Sequence, residues 1–123
     1  MDPEKKEWWR DIKSHYHPHL GQLKFDRPIK TQPETGLFAD FIETISNGDR
    51  DINILDLCCG PGGYTLALAA RNYKVFGFDI NKEFIAFVKD SAVRSGQIQK
   101  DPDLMIGDMR VLPFCESFDL VYN

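Results

Sequence analysis

The chain has no apolar run approaching the roughly 20 residues that a membrane helix needs, no internal repeat and no low-complexity segment. The first residues, Met1 to Arg10, are charged and carry Trp8 and Trp9, so they do not read as a signal peptide. Cysteine is scarce. Cys58, Cys59 and Cys115 are odd in number, two are adjacent, and no Cys-x-x-Cys pair exists. That spacing excludes a disulfide framework and a zinc site, and no metal is expected. Reduced thiols in a cytoplasmic protein fit best. Cys59 reads as a small buried residue beside a tight turn rather than a nucleophile, because no His lies nearby in sequence to act as its base.

A block of like charge is also missing. There are 15 basic and 19 acidic residues, for a net charge of −4. Residues 1–30 sum to +2 and residues 31–123 to −6. Such a surface is poorly suited to non-specific nucleic-acid binding, which rests on neutralising phosphates. Nucleic acid is therefore not indicated as a partner, and no membrane partner is expected. What is present is core material: 42% hydrophobic residues, with nine Phe and two Trp in 123 residues. That suits one folded domain rather than disorder or a multi-domain assembly.

Residues 1–30 read as a separate N-terminal helix and lid segment. Asp2-Pro3-Glu4 is a helix start, and Trp8, Trp9 and Ile12 give that helix one apolar side. His15, His17 and His19 alternate, but Pro18 interrupts them and no supporting acid is evident, so a surface or lid role is preferred over a metal cluster. A second helix starts near Thr31, with Glu34 at capping-box spacing. Leu37, Phe38, Phe41, Ile42 and Ile45 form its apolar stripe, and Asn47-Gly48-Asp49 ends it.

From residue 52 short strands and helices alternate. The expected strands are Ile52 to Leu57, Tyr73 to Asp79, Leu104 to Ile106 and Phe118 to Tyr122. The expected helices are Tyr64 to Arg71 and a segment capped by Asn81, with Phe84, Ile85, Val88 and Ala92 on one face and Gly96 as its stop. This is the βαβ pattern of an α/β, doubly wound parallel sheet, here of order 3-2-1-4 with N-terminal helices. Ligands of such sheets bind at the carboxyl ends of the strands.

The informative loop is Asp56-Leu57-Cys58-Cys59-Gly60-Pro61-Gly62-Gly63. A triphosphate would need Gly-Lys-Ser/Thr, which is absent. A dinucleotide would need a third glycine where Thr65 stands, and Asp56 would repel its pyrophosphate. A cationic ligand reverses that sign. S-adenosylmethionine (SAM) carries a sulfonium and an ammonium that Asp56 can favour, directly or through water. Its carboxylate can face the loop amides and the helix N-terminus. Asp79, at the end of the second strand, is placed to accept both ribose hydroxyls, with Ile80 covering one adenine face. Asp108, after the third strand, can accept from the adenine amino group, with Met109 against the ring.

These segments together resemble the class I SAM-dependent methyltransferases. The matching residues are Leu55 to Gly63, Val75 to Asp79, Gly107 to Phe114 and Phe118 to Asn123. The resemblance covers about residues 51–123 and implies a Rossmann-like SAM-binding domain over 31–123. It places Gly60 and Gly62 along the methionine end of the cofactor, Asp79 at ribose, and Asp108 with Met109 at adenine, and Cys58 of the same loop is also expected to bind the cofactor. Asn123 falls where the family's substrate-facing motif begins and is the candidate for cofactor contact and acceptor orientation. The implied reaction is methyl transfer from SAM to an unidentified acceptor. No general base can be named. The alternative is a non-catalytic SAM-fold module acting in binding or assembly. The resemblance also implies that the domain is truncated after the fourth strand, or that this edge is covered by another chain, as in a homo-oligomer paired there.

Overall fold

The computed structural model describes residues 33–113 and 118–123. The expected lid over residues 1–30, the three His residues, Phe114 and Cys115 lie outside them. Helix α1 (Pro33–Ser46) leads into strand β1 (Asn53–Leu57), followed by α2 (Gly63–Ala70), β2 (Lys74–Asp79), α3 (Lys82–Ser95), β3 (Asp103–Ile106) and β4 (Leu120–Tyr122). The four strands are parallel, in the order β3-β2-β1-β4. The sheet is thus doubly wound as the alternation predicts, with β1 central.

The strands form where β-branched and aromatic residues run continuously, as burial on both faces requires. Ile54 and Leu55 in β1 and Val75 and Phe78 in β2 are buried. On one face, Ala39 and Ile42 of α1 and Leu68 of α2 pack with Ile54, Tyr73 and Val75, and Phe38, Leu120 and Tyr122 close this cluster. Beside it on the same face, Val88 and Ala92 of α3 pack with Leu66 of α2, and Ile98 and Leu104 lie against them. Asp119 pins the start of β4: its Oδ2 accepts from Asn53 N at 2.7 Å, and its own N–H donates to Asn53 O at 2.9 Å.

Asn81 caps α3 as expected, its side chain accepting from Glu83 N at 2.9 Å and Phe84 N at 3.2 Å. Gly96 ends that helix at φ 64°. The stripe expected on α1 is only half used. Ile42 is buried and Phe38 half-buried, but Leu37 (68% exposed), Phe41 and Ile45 face outward. The buried side runs instead through Thr35, Ala39 and Ile42. A small residue at 39 gives the helix the close approach to the core that a bulkier side chain would prevent. Arg71, just past α2, holds α1 through Asp40 at 2.7 Å and Glu43 at 3.1 Å.

Candidate functional site

The carboxyl ends of β1, β2 and β3 meet through Asp79. This residue is buried at the end of β2. Its Oδ2 accepts from Gly60 N at 2.9 Å, in the loop after β1, and its Oδ1 from Asn81 N at 2.8 Å, in its own loop. Its backbone carbonyl accepts from Gly107 N at 3.0 Å, in the loop after β3. Cys59 N also donates to Phe78 O at 2.9 Å. One residue therefore ties three loops together, two through its carboxylate and the third through its backbone carbonyl. Two of its roughly four acceptor sites are used by backbone amides, and the others remain for ligand hydroxyls.

The loop after β1 turns through left-handed conformations at Cys58 (φ 61°), Gly60 (φ 56°) and Gly62 (φ 85°). The two glycines differ in what surrounds them. Nothing lies within 4 Å of where a Cβ on Gly60 would stand, so the backbone there is open to a ligand. A Cβ on Gly62 would run into both Val88 methyls, so this glycine lets the loop seat on α3. Gly62 is also the N-cap of α2 and supplies no side-chain cap. The first amides of α2 are thereby left facing the loop, ready for an anionic group.

Asp56 is the buried acid of the site, 3% exposed near the end of β1. Two hydroxyls reach it, Thr65 Oγ1 at 2.5 Å and Tyr122 Oη at 2.8 Å, and both donate to Oδ2. Burial pushes its carboxyl up to about 6; the two hydrogen bonds pull the other way, and the charge of Asp79 adds to the rise. Burial likewise raises the thiols of Cys58 and Cys59, with the two Asp charges adding to it. Neither is a thiolate at neutral pH, which fits the reading of Cys59 as a buried small residue.

The remaining expected residues sit around this centre. Cys58 is exposed, and its Sγ–H donates to Met109 Sδ at 3.0 Å, bringing the β1 and β3 loops together. Ile80 is half-buried beside Asp79. Asn123 follows Tyr122, which pairs with Asp56 in the register of β4 on β1. Asp108 departs from the simplest expectation. Its two oxygens accept from the Arg110 side chain, at 3.0 Å from Nε and 2.6 Å from an Nη, so an adenine amino group has to displace one of these bonds. A cleft of about 270 Å³ lies elsewhere, between α3 and the start of β3, and includes none of these residues.

Thr65 and Tyr122 are the site residues that sequence reasoning missed. In the sequence Thr65 reads as a missing third glycine and Tyr122 as strand material. The available signal was that Asp56 stands inside an apolar strand, where a carboxylate needs donors.

The residues fit SAM on three structural grounds: open backbone at Gly60, an uncapped helix start for its carboxylate, and two buried acids for its cationic and hydroxyl-bearing parts. The dinucleotide fingerprint fails at Thr65, which stands where its third glycine would be and donates to Asp56 instead.

Known proteins agree. The demethylmenaquinone methyltransferase of Lactobacillus johnsonii is 32% identical over 115 residues, covering 90% of this chain and 46% of that protein. A SAM-dependent methyltransferase structure from Methanosarcina mazei aligns at 35% identity and a TM-score of 0.55, over 63% of this chain and 39% of that one. The cyclase SpnF shares the fold at 19% identity and a TM-score of 0.64, over 90% of this chain and 44% of that one. The chain thus spans under half the length of these proteins. The family model described as a methyltransferase domain matches residues 54–123, more than half of the chain. The chain belongs to the class I SAM-dependent methyltransferases.

Proposed function

We propose that the protein binds SAM at the carboxyl ends of β1, β2 and β3 and takes part in transfer of its methyl group to an acceptor. The observation that carries this reading is the pair of buried carboxylates, Asp56 and Asp79, on either side of an open glycine loop. Bound SAM supplies an electrophilic methyl on a sulfonium, and transfer to a nucleophilic atom needs alignment above all. The chain's own residues do the aligning. Asp79 accepts the ribose hydroxyls and holds the loops in place. Asp56 faces the cationic end, and the amides at the start of α2 face the carboxylate. Ile80 and Met109 lie against adenine, and Asn123 orients the acceptor.

The acceptor class that the Lactobacillus relative suggests is a demethylated menaquinone. The net charge of −4 supports a small acceptor over a polyanion. The test is transfer of labelled methyl from SAM to demethylmenaquinone by the protein. Label in the quinone supports the reading, and no label on any acceptor in a protein that binds SAM overturns it. The second reading is a SAM-fold module without methyl transfer. It is favoured by one observation, that a protein named as a cyclase shares this fold. SAM binding without turnover would select it.

A further inference from the structure

Asp56 is held in an unusual way for a buried carboxylate. Both of its donors converge on one oxygen, Oδ2, from two different elements: Thr65 in the first turn of α2 and Tyr122 at the end of β4. Thr65 is fully buried. The Tyr122 ring is packed in an aromatic cluster, 4.7 Å from the Phe38 ring of α1 and 6.4 Å from Tyr64, and those two rings are 4.5 Å apart. The cluster fixes where the phenol hydroxyl stands. Oδ1 accepts no hydrogen bond among the described residues. Asp56 as a residue keeps 3% exposure.

We propose that Tyr122 and Thr65 are positioning residues for cofactor binding. By saturating Oδ2 they reserve Oδ1 of Asp56 for the cationic end of SAM. This rests on the SAM reading of the site and adds the division of labour within it. The same oxygen is where the carboxyl proton must sit when Asp56 is neutral, since Oδ2 is occupied by two donors. Proton and cofactor therefore compete for one atom. Burial makes that competition occur near neutrality, by pushing the carboxyl up to about 6.

The other ionisable groups acting on Asp56 are Asp79 at the end of β2, Cys58 and Cys59 in the loop, and Tyr122 itself. Burial holds the thiols and the phenol protonated across this range, so they do not titrate with it. Each hydroxyl donor favours the ionised carboxylate; losing one moves the titration up.

The experiment is calorimetric titration with SAM between pH 5 and 8.5 for the wild type, Tyr122→Phe, Thr65→Val and Thr65→Ser. 5′-Methylthioadenosine, which has neither sulfonium nor ammonium, is the control ligand. For the wild type, SAM affinity should rise through about pH 6 and then level, while the control stays flat. Tyr122→Phe keeps the ring packing and loses the donor. Its midpoint should move up by about half to one pH unit, so that SAM binding weakens about 2- to 5-fold more at pH 6 than at pH 8. Thr65→Val should move it the same way, and Thr65→Ser should restore it. A folded Tyr122→Phe with an unmoved midpoint, or a pH-independent wild type, overturns the inference while SAM binding stands. A wild type that binds SAM at no pH overturns the reading beneath it as well.

Discussion

At Asp56 burial opposes ionisation, while two hydroxyls partly offset it. The carboxyl stands at about 6 in the folded protein against an ordinary 3.8. The folded state therefore binds more protons than the unfolded one between these values. The resulting stabilisation, about 3 kcal/mol, is fully present below the unfolded value and lost as pH rises through the folded one. Asp56→Asn is neutral at every pH, and its side-chain oxygen can still accept from Thr65 and Tyr122. Urea unfolding at pH 4.5 and pH 8 should show a smaller fall in stability for this variant than for the wild type. It should also be the more stable of the two at pH 8, by up to roughly 3 kcal/mol. An unchanged slope would mean that Asp56 is already ionised in the fold. Asp79 offers the complementary test. Asp79→Ala should weaken SAM binding by roughly 1.5–3 kcal/mol through lost charge-assisted hydrogen bonds to ribose. Asp79→Asn retains one oxygen for a loop amide and separates ligand contact from loop support.

At the scale of elements, the turn from β1 into α2 is constrained twice over. Gly62 combines a left-handed φ with contact against Val88. Gly62→Ala should destabilise the protein by about 2 kcal/mol or more in denaturant unfolding, from backbone strain and overpacking. The double variant with Val88→Ala should cost less than the sum of the two singles, because the clash is removed while the strain stays. Additive costs would place the whole effect in the backbone. The elements themselves were legible in the sequence. Asn81 and Gly96 mark the ends of α3, and apolar runs mark the strands. The Asp at the end of β2 was legible too, because residue type and position coincide. The function of Gly62 was not. Two glycines two apart look alike in sequence, and only the packing of α3 separates the open one from the buried one. Nor was the outward face of Leu37, Phe41 and Ile45, since periodicity marks an apolar stripe without saying which half meets the core. Thr65 and Tyr122 were hidden for a third reason. They are distant in sequence and converge on Asp56 only through the order of the sheet.

For the whole molecule, the site is assembled from loops that only the folded sheet brings together. A ligand there binds the folded state and not the unfolded chain. At about 100 times its dissociation constant, SAM should raise the unfolding free energy by about 2.7 kcal/mol and shift thermal unfolding upward accordingly. NAD at the same concentration should leave unfolding unchanged. The four strand ends also explain why cofactor and acceptor differ in legibility. Asp56, Asp79 and the glycine loop lie within the first two strands and their connections. The proposed contact with the acceptor rests on Asn123, just after β4. On the proposed reading, the buried Asp56 favours a cationic nucleoside over an anionic dinucleotide. Isothermal titration with SAM, S-adenosylhomocysteine and NAD tests it most directly: SAM and S-adenosylhomocysteine should bind and NAD should not, and NAD binding without SAM binding would contradict it.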